Sequence, residues 1–211
     1  MTEQHHRIFL LNGWSKSGKD TCADYLVEVH KFHKFSFAEA AKIQVSKEYS
    51  FPYELTQTQE GKDTFLPEHN RTVRQLVIEY ANAMRAKTPD VWAKIIAKEI
   101  QAIIITHKDS SIQPINFVIS DWRLLDELLS LQRELYNENI KIIPIHIVRP
   151  SQLISPVPDT TEYSLLGFPF QYTITNPGTS EYFYRIQIMK ILCEFLRNEL
   201  PPPTWAVSYY A

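Results

Sequence analysis

Short apolar runs and apolar stretches at helical spacing alternate along the chain. Residues 8–11, Ile8-Phe9-Leu10-Leu11, are continuously apolar, the pattern of a strand buried on both faces of a parallel sheet. Residues 19–30 follow, with Cys22, Ala23, Leu26 and Val29 near one helical face. A strand over 34–38 leads to a helix over 40–49. Residues 51–70, with Pro52, Gly61 and Pro67, read as a surface excursion. A helix is predicted over 71–87. Thr88-Pro89-Asp90 then restarts another, with an N-cap hydroxyl, a proline in the first helical position and an acid near the positive end of the dipole.

The second half repeats the alternation: strand 116–120, helix 124–137, strand 141–148, strand 172–175 and an amphipathic helix over 179–199. Between the last two strands, residues 150–170 are irregular and carry Pro150, Pro156, Pro158 and Pro169, which suits a loop or lid. This order predicts a doubly wound α/β domain, a mostly parallel sheet of about five strands with helices on both faces. One domain spans 1–211, with a substrate-binding region over about 50–90, a lid over about 150–170 and a tail over 201–211. The tail carries Trp205, Tyr209 and Tyr210 and is expected to pack on the body or on a second copy.

The chain has 211 residues, of which 44% are hydrophobic and 22% charged, so a disordered or fibrous chain is excluded. A formal net charge of -2 gives no general attraction to nucleic acid, whose binders carry a marked basic excess. It leaves room for a small anionic ligand held by a local cluster of cations. Cys22 and Cys193 are too few for a disulfide framework or a zinc site, and the reading is a cytoplasmic protein. The apolar runs are far shorter than a membrane span, so no membrane partner is expected.

The strongest chemical signal is Gly13-Trp14-Ser15-Lys16-Ser17-Gly18-Lys19-Asp20-Thr21, between the first strand and the first helix. It fits G-x-x-x-x-G-K, the phosphate-binding loop of P-loop NTPases. The glycines let successive backbone N–H groups turn toward phosphates, and the helix N-terminus adds positive potential. Lys19 is placed to reach the β- and γ-phosphates. The residue after the lysine is usually Ser or Thr, binding Mg²⁺; here it is Asp20, followed by Thr21. A carboxylate there can hold the metal through water or act on the acceptor.

Gly-x-x-x-Ser-Gly-Lys-Asp-Thr resembles the loop of the deoxynucleoside monophosphate kinases of bacteriophages and large DNA viruses, and animal-type phosphomevalonate kinases carry a similar loop. Four later blocks match in order. Arg71-Thr72-Val73-Arg74-Gln75 with Glu79 and Arg85 resembles the family's substrate helix, and Pro89-Asp90-Val91-Trp92 its Pro-Asp-x-Trp signature. Val118-Ile119-Ser120-Asp121-Trp122-Arg123, with Glu127, resembles its strand ending in Ser-Asp-x-Arg. Ile174-Thr175-Asn176-Pro177-Gly178-Thr179 resembles its late Ile-x-Asn-x-Gly-Thr turn. The resemblance spans about 7–195. It implies ATP-dependent phosphoryl transfer to a deoxynucleoside monophosphate, with Mg²⁺. Small-molecule nucleotides are the partners, and a homodimer is the expected assembly.

On that resemblance, Gly13, Lys16, Ser17, Gly18, Lys19, Asp20, Thr21, Arg149 and Asn176 hold the nucleotide. Arg71, Arg74, Glu79, Arg85, Trp92 and Glu162 hold the acceptor. Asp121 ends a strand beside the first and is placed to organise Mg²⁺ with Asp20 and Thr21; a helix N-cap is the alternative. Arg123, at the cleft mouth, can neutralise the transferring group or be a plain surface arginine. Trp92 can stack on a base or be core. Arg149 is placed to lie flat on adenine. No Lys or Arg occurs between Arg149 and Arg185, where related kinases send arginines from the lid. Two other readings stay open: a phosphomevalonate kinase-like enzyme, and a nucleotide-binding module without turnover.

Overall fold

A computed structural model describes residues 5–107, 114–152 and 160–196. Its sheet is built from five parallel strands, in the spatial order β2-β5-β1-β6-β7. They are β1 (His6–Asn12), β2 (His33–Phe35), β5 (Asn116–Ile119), β6 (Ile140–Val148) and β7 (Tyr172–Thr175). The helices are α1 (Lys19–His30), α2 (Phe37–Glu48), α3 (Gln59–Asp63), α4 (Val73–Lys87), α5 (Val91–Thr106), α6 (Leu125–Glu134) and α7 (Glu181–Leu196). A two-strand hairpin, β3 (Phe65–Leu66) with β4 (Arg71–Thr72), sits in the expected excursion.

The apolar runs in the strands divide by parity. Ile8, Leu10, Phe117 and Ile119 face α2, α5 and α6, and Trp92, Ile96 and Ile100 pack against them. Phe9, Leu11, Val118, Ile143, Ile145, Ile147 and Ile174 face α1 and α7, meeting Cys22, Leu26, Tyr184 and Ile188. Each such fully buried Ile, Leu or Phe stabilises the fold by roughly 1.5–3 kcal/mol. A smaller cluster, Val45, Phe51, Leu66, Val73 and Leu76, ties α2 and α4 to the excursion.

Several boundaries differ from the sequence reading. Helix α2 starts at Phe37 because Ser36 caps it, its hydroxyl accepting from Glu39 N. Arg71 lies in β4, before α4, whose start is fixed by a capping box of Thr72 and Gln75. Helix α5 begins at Val91 with Asp90 as N-cap, so Thr88 and Pro89 precede the helix. Val29 is exposed on α1. The expected lid is not loose along its whole length: Leu165 is buried, and Phe168 and Phe170 set their ring edges against Trp122, at 5.0 and 5.7 Å between centroids. The tail 201–211, on which the homodimer expectation leans, lies outside the described residues, as does 153–159 of the lid. Among the described residues no helix is long and apolar enough to cross a membrane.

Candidate active site

The five parallel strands all end at one edge, and the residue just past each end, or two past in β5, belongs to one locality: Gly13, Ser36, Asp121, Arg149 and Asn176. Strand β1 lies at the centre, with β5 and β2 on one side and β6 and β7 on the other. This is the crevice where open parallel sheets bind ligands.

The phosphate loop connects β1 to α1. Gly13 has φ 148°, and a Cβ there would stand 2.3 Å from the Ile147 carbonyl oxygen, so no other residue fits. Gly18 has φ 107° and lies as close to Asn176, whose Nδ2 would be 2.4 Å from an added Cβ. Lys19 is buried, its Nζ donating to the carbonyls of Gly13 (2.5 Å) and Trp14 (2.7 Å). The ammonium group is thus held at the loop's centre. Asn176 Nδ2 donates to Ser17 O at 2.8 Å and Tyr184 OH to Gly18 O at 2.8 Å. Asn176 Oδ1 also accepts from Gly178 N, so its amide braces the loop from within the protein. Ser17 is buried with it, its hydroxyl without a partner among the described residues. Arg149 donates to Lys16 O at 3.1 Å and lies against Gly178, bridging the loop and the turn after β7.

Beside the loop opens a cleft of about 630 Å³. Five cations line it: Lys16 and Lys19 from the loop, Lys34 from β2, Lys42 from α2 and Arg123. Four carboxylates face them, Asp20, Glu39, Glu99 and Asp121. Asp20 is 81% exposed, 3.8 Å from Lys34 Nζ, which also donates to Asp24 at 2.7 Å. Thr21 is exposed and does not line the cleft, so the expected threonine ligand is not part of this arrangement.

Asp121 does line it, yet its carboxylate serves the N-terminus of α2. It accepts from Ser36 Oγ, Phe37 N and Ala38 N, each at 2.8 Å. The helix-cap alternative is therefore present, across 85 residues of chain and from a different element. Two residues on, Arg123 is held on every side. Its N–H donates to Glu127 Oε2 at 3.1 Å, its Nη1 to Thr161 Oγ1 at 3.0 Å, and its carbonyl accepts from Ser164 Oγ at 2.5 Å. Burial pushes the Glu127 carboxyl up to about 7, against the pull of the Leu124 and Arg123 amides; Asp121 adds to the rise and Arg85 opposes it. Burial, and then Lys19, hold the His146 imidazole below its ordinary value; neutral, its Nδ1–H donates to Asn12 Oδ1 at 2.8 Å. Cys22, raised to about 12 by burial, is packing rather than a reactive thiol.

The acceptor side departs most from expectation. Arg71 pairs with Glu79 at 3.0 Å and Arg74 with Asp63 at 3.1 Å, both on the exposed surface and outside the cleft. Arg85 turns instead toward Glu127, 4.0 Å away. The expected line of arginines does not form, because Arg71 precedes the helix. Trp92 is 1% exposed and packed beside Tyr80 in the core, so its ring presents no face to a base. The side chain of Glu162 lies outside the described residues. The sequence reading did not single out Lys34 and Lys42, although a cation one residue from the C-terminal end of a parallel strand, as at Lys34, is a usable signal. Among the described residues, no three His, Cys, Asp or Glu side chains group as a metal site.

No protein-family model and no curated protein matches this sequence. Solved structures do. A Chloroflexus aurantiacus protein, itself only provisionally assigned as a kinase, superposes with a TM-score of 0.51 at 10% identity, over 92% of this chain and 98% of that one. Dephospho-CoA kinase from Campylobacter jejuni gives 0.47 at 15% identity, over 92% and 100%. Shikimate kinase from Acinetobacter baumannii, in complex with shikimate, gives 0.43 at 13%, over 93% and 96%. At these identities the likeness is one of architecture. The chain has the P-loop kinase fold, a five-stranded parallel sheet with helices on both sides.

Proposed function

We propose that this protein is an ATP-dependent kinase that passes the γ-phosphoryl group to the phosphate of a deoxynucleoside monophosphate. The observation that carries the reading is the meeting in one cleft of Lys16 and Lys19 from the phosphate loop with Arg123 and Asp121 from the end of the neighbouring strand. An acceptor phosphate oxygen attacks the γ-phosphorus in line, the bond to the β–γ bridging oxygen breaks, and ADP leaves. The protein's part is placement and charge: Lys19 and the loop amides hold the donor phosphates, and Arg123 meets charge on the group in transit. Asp20 and Asp121 are hard oxygen donors lining the same cleft, a set that suits Mg²⁺, which takes one or two carboxylates with phosphates and waters. Asp20, the more exposed, would hold the ion in this reading, and the ion would supply positive charge against the donor phosphates. Arg149, against Gly178, supplies the flat cation for adenine.

A compact phosphorylated acceptor of the phosphomevalonate kind is the second reading, favoured by the burial of Trp92. An ADP-release assay with a panel of deoxynucleoside monophosphates beside phosphomevalonate separates them, with Lys19→Ala as the control for the loop. Turnover on at least one monophosphate, reduced more than about a hundredfold by Lys19→Ala, is the expected result. Turnover on phosphomevalonate alone selects the second reading. Tight ATP binding without transfer to any acceptor selects a binding module.

A further inference from the structure

The lid carries no cation, yet its return turn grips one. We propose that Thr161 and Ser164 are positioning residues for Arg123, so that this lid acts by orienting an arginine of the sheet edge instead of delivering its own. The assignment rests on the kinase reading of the cleft.

Three contacts support it. Thr161 Oγ1 accepts from Arg123 Nη1 at 3.0 Å, and the Ser164 hydroxyl is shared between the carbonyls of Arg123 and Thr161, each at 2.5 Å. Tyr163, between them, sets its ring edge against Trp14 of the phosphate loop, 5.9 Å between centroids. One turn thus touches both the loop that holds the donor phosphates and the residue that meets their charge. Glu127 completes the hold from the opposite side through the Arg123 N–H. Arginine has many rotamers, and a guanidinium aimed before the reaction loses less freedom during it. Arg123 also needs no closing motion, since its backbone is fixed at the end of a buried strand. The same geometry accounts for a lid free of arginine: a clasp of hydroxyls needs only acceptors and donors, not charge.

The test pairs kinetics with a readout that does not require turnover. Thr161→Val and Ser164→Ala should each lower kcat about five- to twentyfold with KM for ATP within about twofold, and Thr161→Ser should restore the rate, because it keeps the hydroxyl. In an Arg123→Ala background Thr161→Val should cost nothing further, since its effect runs through that guanidinium. Independently, the Nη–H resonance of Arg123, identified by its disappearance in Arg123→Lys, should be shifted from the free-arginine position and slow to exchange in the wild type. It should move to that position in Thr161→Val. A wild type active on a monophosphate but indifferent to Thr161→Val, or a loss that persists in the Arg123→Ala background, overturns the clasp. A free-arginine signal in the wild type overturns it whether or not the enzyme turns over. A wild type inactive on every acceptor, with the ordered resonance and its Thr161→Val response intact, refutes the kinase reading while the clasp stands.

Discussion

Ser36 and Asp121 meet across the cleft floor at 2.8 Å, hydroxyl to carboxylate, and so join the start of α2 to the end of β5. The same carboxylate takes the N–H groups of Phe37 and Ala38, leaving the first turn of α2 capped by a residue from another strand. Because Glu39 and Lys42 of α2 line the cleft, Asp121 sets one of its walls as well as lining it directly.

Asp121→Ala should therefore lower stability as well as activity, by about 2 kcal/mol, the scale of a lost charged cap with its donors stranded. Asp121→Asn, which keeps one acceptor oxygen, should fall between. Urea unfolding checks this. An unchanged midpoint in Asp121→Ala would mean that the carboxylate does nothing for α2.

Glu127 makes stability depend on pH. Its carboxyl has a folded value of about 7 against an ordinary 4.5, so between those limits the folded state binds more protons than the unfolded state. Its contribution is full below pH 4.5 and is lost as pH rises through 7, a swing of about 3 kcal/mol. Glu127→Gln keeps an oxygen for the Arg123 and Leu124 amides without the buried charge. The difference in unfolding free energy between the variant and the wild type should grow in the variant's favour from pH 4.5 to 8. A gap that is flat with pH contradicts the shift.

Asn176→Ala removes the donor to Ser17 O while leaving every cleft side chain in place. Calorimetry should show ATP binding weakened about tenfold, the equivalent of one lost buried hydrogen bond, with the acceptor KM nearly unchanged. Tyr184→Phe, which loses the bond to Gly18 O, should show a smaller effect of the same kind.

Acceptor binding should follow the cleft rather than α4. Lys34→Ala and Lys42→Ala should raise KM for the monophosphate about ten- to a hundredfold, the scale of a charged hydrogen bond. Arg71→Ala and Arg74→Ala break exposed, solvent-screened pairs with Glu79 and Asp63 and should leave KM within about threefold. The reverse ranking would return the acceptor anchor to α4.

Local sequence carried the parts of this protein that local physics decides. The apolar run at 8–11 became β1 because a strand buried on both faces needs no partner to be recognised, and 172–175 became the edge strand β7, with Ile174 alone buried. The span 19–30 became α1 to the residue, and the two glycines of the loop stand where their backbone angles and close neighbours demand them. The alternation of elements sufficed for a parallel sheet with helices on both faces.

Contacts between distant segments were set only by tertiary structure. Three-residue spacing put Arg71 and Arg74 on one helix face, but a capping box at Thr72 and Gln75 cut the helix off before Arg71, and nearby acids took both guanidinium groups. Trp92 read as core more readily than as a base platform, and the packing of α5 against the sheet buried it. The cap on α2 from Asp121 and the brace on Ser17 from Asn176 join residues 85 and 159 positions apart. No periodicity records such a pair, because spacing along a chain reports which face a side chain takes, while its partner is chosen by how the faces are folded together.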